Sequence, residues 1–177
     1  MRKPRRLRAG AKYHVSARAN NKEFIFASRP MKELFLHVLN EAKKHYSFII
    51  ENFCIMDNHV HLLIQPGDNE NLSRIMQWTL ANFAVAYNKQ NDRSGHVWGE
   101  RFFSRIINTL QEYLHIFDYI DKNPSLAGLV DRSTVWEYSG MAHDRMNRHD
   151  IVGLKPKIFF SLLRILVGNN PRFINSD

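Results

Sequence analysis

Hydrophobic periods along this chain change between two and about 3.6 residues in the order strand, helix, strand, strand, helix, strand. That order predicts an α+β fold, an antiparallel sheet with both helices on one face. Two observations support it. The predicted strands carry polar residues at alternate positions, as sheets do when one face is covered and the other is open. The chain has 177 residues, 44% of them hydrophobic, which is enough for one domain with a real core.

Each element follows from local pattern. Residues 12–19, KYHVSARA, put Tyr13, Val15 and Ala17 on one side and His14, Ser16 and Arg18 on the other, predicting the first strand. After Pro30, the spacing of Met31, Leu34, Phe35, Val38, Leu39 and Ala42 predicts an amphipathic helix. SFIIENFCIM (47–56) and NHVHLLIQ (58–65) predict two strands joined by a tight turn at Asp57-Asn58. A second helix carries Leu72, Ile75, Met76, Thr79, Leu80, Phe83, Ala84 and Tyr87 on one stripe, with Asn71 as its cap. RFFSRIIN, at 101–108, predicts a fourth strand and completes a ferredoxin-like order. Thr109 and Glu112 form a Thr-x-x-Glu capping box that opens a third helix. Its buried stripe is expected to be Leu110, Tyr113, Leu114 and Phe117, and Pro124 should end it near Asn123. Further on, KIFFSLLRILV at 157–167 predicts a short helical segment. The chain is therefore divided into a basic flexible arm (1–11, with Arg2, Lys3, Arg5, Arg6 and Arg8), a main domain (12–143) and a helical extension of the same domain (144–177).

The formal net charge of +8 favours a polyanionic partner such as nucleic acid. Cys54 is the single cysteine, so no internal disulfide can form, which fits a reducing cytoplasm. The basic N-terminus is followed by no long apolar run, and no segment reaches the length of a membrane span. A cytoplasmic protein without a membrane partner is expected.

MDNHVHLLI, at 56–64, carries the chemistry. The pleat directs His59 and His61 to one face and Val60, Leu62 and Ile64 to the other. Two residues of rise, roughly 7 Å, allow both imidazoles to reach one divalent ion. If Val60, Leu62 and Ile64 pack beneath the helices, the histidines look out from the open face, where His14, Ser16 and Arg18 join them. On the third helix Tyr119 lies away from the apolar stripe, with Asn123 one turn later on the same side. Over the open face, that helix can add an amide oxygen to two imidazoles and hold a phenol beside the ion. Neutral ligands leave a cation its full charge for a phosphate oxygen. A phenol needs a base or a cation to become a nucleophile; Lys122 and His115 are auxiliary candidates. Attack on a phosphodiester would then join protein to DNA covalently. A lone His-x-His is more often a solvated sheet feature, and a lone tyrosine more often a helix-border aromatic. Their joint occurrence carries the argument. Arg18, Arg101 and Arg105 are candidate DNA contacts, and Trp98 a candidate stacking partner for an unpaired base.

CIMDNHVHLLI resembles the signature of HUH-type (His-hydrophobic-His) single-tyrosine transposases, and YIDKNPSLAGLV resembles the segment that carries their catalytic tyrosine. KYHVSARANNKEFIF, GHVWGERFFSRII and VWEYSGMAH are similar to stretches of the REP-associated branch, which acts on palindromic repeats in bacterial chromosomes. The resemblance implies an enzyme that nicks and rejoins single-stranded DNA at hairpins. Tyr119 would form a 5′-phosphotyrosine, with His59, His61 and Asn123 holding Mg²⁺ or Mn²⁺. It also implies a bacterial, nucleoid-associated protein acting as a monomer or homodimer. Three positions depart from the family pattern: Asp57 stands where proline is usual, Leu126 where arginine is common, and Asn123 where insertion-sequence relatives often have glutamine. Two other readings compete, a non-catalytic repeat-binding regulator and a hydrolase that uses water. The regulator has no need of His59, His61 and Tyr119 together.

Overall fold

The computed structural model describes residues 8–153. Residues 1–7 of the expected basic arm and the expected helical segment at 157–167 lie outside the described residues. The elements are β1 (Lys12–Arg18), α1 (Arg29–His45), β2 (Phe48–Ile55), β3 (His59–Pro66), α2 (Leu72–Gln90), β4 (Phe103–Ile107), α3 (Leu110–Leu126) and α4 (Gly140–Arg145). The sheet runs β2-β3-β1-β4 with every neighbouring pair antiparallel, the ferredoxin-like order expected from the sequence. No helix of the described residues is long and apolar enough to cross a membrane.

One face of the sheet forms the main core. Val15, Ala17, Val60, Leu62 and Ile64 pack beneath Phe35, Leu39 and Ala42 of α1 and Ile75, Met76 and Phe83 of α2. Asn71 caps α2 as expected, its side chain accepting from the Ser73 N–H at 2.8 Å. Trp136, Tyr138, Ile151 and Val152, from the chain beyond α3, also pack in this core.

The other face is only partly covered. A bulge at Glu51 separates Ile50, opposite Ile64, from Asn52, opposite Leu63. The extra residue leaves Ile50, Phe53 and Ile55 in the main core, while Cys54 and Met56 join Leu63, Ile107, Ile116, Phe117 and Ile120 in a second cluster beneath α3. Asn52 is fully buried, and its amide donates to the Phe117 carbonyl (3.2 Å) and to Asp121 Oδ1 (2.8 Å). These bonds and the apolar cluster fix α3 against β2, and with it Tyr119. Gly140 lies against the same asparagine: a Cβ there would stand 2.1 Å from Asn52 Oδ1, so only glycine allows the approach.

Helix α3 departs from expectation at both ends. Leu110 is 63% exposed rather than buried, because it lies at the mouth of a surface cavity beside Arg8, Lys12 and Tyr113; the buried stripe begins at Leu114. Thr109 caps the helix by accepting from the Glu112 N–H, while Glu112 reaches back to the Asn108 N–H and to Arg105. At the far end the helix passes through Pro124 and stops at Leu126. Proline loses one backbone bond, but Gly128 takes φ +68° and the N–H groups of Gly128 and Leu129 close on the carbonyls of Ser125 and Pro124. That glycine-terminated motif satisfies the last carbonyls and allows the extra turn.

Asn52→Ala is expected to cost about 1–3 kcal/mol by leaving buried partners unpaired. It should appear as a lower urea midpoint with an unchanged slope; an unmoved midpoint would mean that α3 is held by apolar contacts alone.

Candidate active site

Antiparallel pairing of β1 with β3 sets Ser16 opposite His61 and Arg18 opposite His59 on the open face. The turn before β3 is held in place: the Asn58 carbonyl accepts from Ala19 N–H, the Asp57 carbonyl from Phe26 N–H, and Asp57 Oδ1 from the buried Lys32 ammonium (2.8 Å). Asp57 is therefore an anchor. The His59 and His61 ring centroids are 4.9 Å apart, and α3 brings the Tyr119 ring to 5.5 Å from His61. His14 completes the group, stacked on His61 at 5.2 Å and edge-on to Tyr119 at 5.9 Å. These rings line a cleft of about 800 Å³ together with Arg18, Arg101 and Phe103.

Hydrogen bonds select which ring nitrogens are available. Asn58 donates its amide N–H to the Lys22 carbonyl, which turns its amide oxygen toward His59 Nδ1 at 2.6 Å. An amide oxygen only accepts, so Nδ1 carries the proton and Nε2 keeps a lone pair. His61 Nδ1 lies 3.0 Å from His14 Nε2, and His61 Nε2 is buried without a hydrogen-bond partner. Burial holds the His14 and His59 pKa down to about 4, reinforced by the positive charges of Arg105 and Arg18 respectively. Burial, then the neighbouring His14, His59 and Arg18, hold His61 well below its ordinary 6.5. All three rings are neutral near pH 7, the state a metal requires of an imidazole ligand.

His59 and His61 are the residues of this cleft with the chemistry to hold a divalent ion. No group of three or more His, Cys, Asp or Glu side chains arranged to hold a metal occurs among the described residues. Asn123 is not brought to the pair: it is buried and its amide donates to the Tyr119 carbonyl of its own helix at 3.3 Å. Lys122 pairs with Asp118 at 2.8 Å, and neither Lys122 nor His115 lines the cleft.

Of the candidate DNA contacts, Arg18 and Arg101 line the cleft, whereas Arg105 is paired with Glu112 at 2.7 Å. Trp98 is corrected from stacking partner to packing residue. Its ring lies against Phe26, Phe35 and Phe83, and its N–H donates to the Leu80 carbonyl. His14 and Phe103 are members of the cleft that were not singled out as site residues. Strand alternation already placed His14 on the open face; Phe103 is placed only by the pairing of β4 with β1.

Neutral imidazoles and a helix-borne phenol thus share one arginine-flanked cleft on an open ferredoxin-like sheet, and a family match sets the class as DNA strand-transferring enzymes. The IS200-like transposase family matches residues 8–123, and the chain belongs to that family. A REP-associated tyrosine transposase of Haemophilus influenzae is 27% identical over 120 residues, covering 62% of this chain and 68% of the relative. An uncharacterised protein of the same organism is 24% identical over 145 residues, covering 64% of this chain and 80% of its own. In structure, a REP-associated tyrosine transposase bound to a REP hairpin matches with a TM-score of 0.73 at 20% identity, over 82% of this chain and 86% of its own. That match is one of fold.

A histidine whose folded pKa is depressed leaves the unfolded chain to bind the proton first. Stability is therefore full above 6.5 and is lost as pH falls from 6.5 toward 4, with His14, His59 and the core residue His143 acting in the same direction. The thermal midpoint should drop across that window, by about 2–4 °C for each kcal/mol lost. A flat profile would mean that the rings are solvated.

Proposed function

We propose that the protein nicks and rejoins single-stranded DNA at hairpin elements, with Tyr119 as the nucleophile. The observation that carries this reading is the placement of the Tyr119 ring beside His61 and His14 in one open cleft. The REP-associated relatives support a palindromic repeat as the DNA.

His59 and His61 would present their Nε2 atoms to Mg²⁺ or Mn²⁺. When bound, the cation would neutralise charge on a non-bridging phosphate oxygen. Asn58 and His14 engage the opposite ring nitrogens and so orient both ligands. Asn123 is our candidate for the third ligand. Its present bond spends the amide nitrogen and leaves the amide oxygen, which must turn toward the cleft to reach the ion. Arg18 and Arg101, exposed on the cleft rim, would hold the flanking phosphates. In the nicking step the Tyr119 oxygen forms a bond to phosphorus as the bond to the 3′ oxygen breaks. The phenolic proton is lost and the leaving oxygen gains one, giving a 5′-phosphotyrosine and a free 3′-hydroxyl. Rejoining reverses the step, because the phosphotyrosine keeps the energy of the broken bond.

The test is a denaturing gel after incubation with labelled hairpin DNAs and Mn²⁺. Wild-type protein should give a slow-migrating covalent adduct. Tyr119→Phe should abolish it, and His59→Ala should lower its yield at least about 100-fold. Cleavage without adduct would indicate water as the nucleophile, and binding without either would indicate a regulator. EDTA present from the start should prevent adduct formation, and excess Mn²⁺ should restore it. Separately, Asn58→Ala should weaken Mn²⁺ binding by about 10- to 100-fold when titrated without DNA; equal affinity would show that the Asn58 bond does not orient His59.

A further inference from the structure

Strand β4 lies at the edge of the sheet, next to β1. Phe102, just before the strand, is buried in the main core, whereas Phe103, its first residue, is 56% exposed. By strand alternation Phe103 and Arg105 share the open face, where β1 places Ser16 opposite Phe103 and His14 opposite Arg105, and Arg101 lines the cleft just before the strand. The Phe103 ring stands edge-on to His14 with centroids 6.2 Å apart, and His14 stands edge-on to Tyr119 at 5.9 Å. One wall of the cleft beside the tyrosine is therefore an aromatic ring next to Arg101, while Arg105 on its other side is held by Glu112.

A lone exposed phenylalanine is ordinary on a protein surface. This one lines the same cleft as the histidine pair and Tyr119, and Arg101 beside it has no hydrogen bond or ion pair among the described residues. A cationic track interleaved with an aromatic face is what single-stranded nucleic acid binds, because every base offers a π-face whatever its identity. A base inside a duplex is already stacked on both sides and has no face to give.

We infer that Phe103 is a stacking platform for an unpaired nucleobase next to the bond that Tyr119 attacks, with Arg101 on the adjoining phosphate. This rests on the strand-transfer reading and adds to it a reason why the flank of a hairpin, rather than its stem, enters the cleft.

The probe is a set of hairpin oligonucleotides with single-stranded flanks that carry the fluorescent base 2-aminopurine at successive flank positions. They are titrated with full-length Tyr119→Phe protein, so that no covalent capture intervenes. Binding should quench the probe at one flank position. Phe103→Ala should relieve that quenching and weaken flank-dependent affinity by about 5- to 100-fold, while Phe103→Tyr should restore both. Because Phe103 is exposed, neither variant threatens the fold. Equal quenching and affinity in Phe103→Ala would overturn the platform. The adduct assay on protein with its native tyrosine separates the two proposals: an adduct without Phe103-dependent quenching overturns the platform alone, and such quenching without an adduct overturns strand transfer alone.

Discussion

The antiparallel register between β1 and β3 is the constraint on which the molecule depends. These two strands lie at the centre of the sheet, and their side chains alternate between a face sealed by α1 and α2 and a face that is not. A shift of one residue would exchange Leu62 for His61 in the core, burying imidazoles and exposing leucine. The apolar run Val60, Leu62, Ile64 therefore selects the register for its own burial, and the histidines are carried to the open face as a consequence. Anchors at Asp57 and Asn58 then hold the turn from which the histidine strand starts.

Helix α3 divides the open face in two. One part, around Cys54, Leu63 and Phe117, is closed by apolar contact; the other, around Ser16, His59 and Phe103, stays accessible. Tyr119 stands at the boundary because the stripe of α3 turns Phe117 and Ile120 downward. The bulge at Glu51 is what makes the closure possible, since it turns Asn52 and Cys54 toward the helix. Asn52 adds polar bonds to an apolar contact. Such bonds contribute little net stability, but they favour one rotation of the helix about its axis, which a smooth cluster of leucines and isoleucines does less well.

Charge ties the two sides of the site together. The chain carries a net +8, and the arginines nearest the histidines, Arg18 and Arg105, help keep those rings unprotonated. The same positive field that favours a polyanion therefore also opposes protonation of the imidazoles.

The element order, the open sheet face, the paired imidazoles and the phenol on α3 were legible from residue periods and from one short motif, because alternation and helical spacing are local properties of the chain. His14 was legible as a face but not as a partner, since its contact with His61 crosses between strands. Whether an aromatic packs or presents was not legible at all. Trp98 and Phe103 lie five residues apart beside arginines and glycine, and only the docking of the loop on Leu80 and the pairing of β4 with β1 sent one inward and the other outward. Position of Asn123 was decided in the same way, by a helix that ran on past Pro124 once Gly128 closed its carbonyls. The sequence by itself determined which side chains share a face; only the tertiary structure decided which faces meet, because those contacts join residues far apart in the chain that no local period connects.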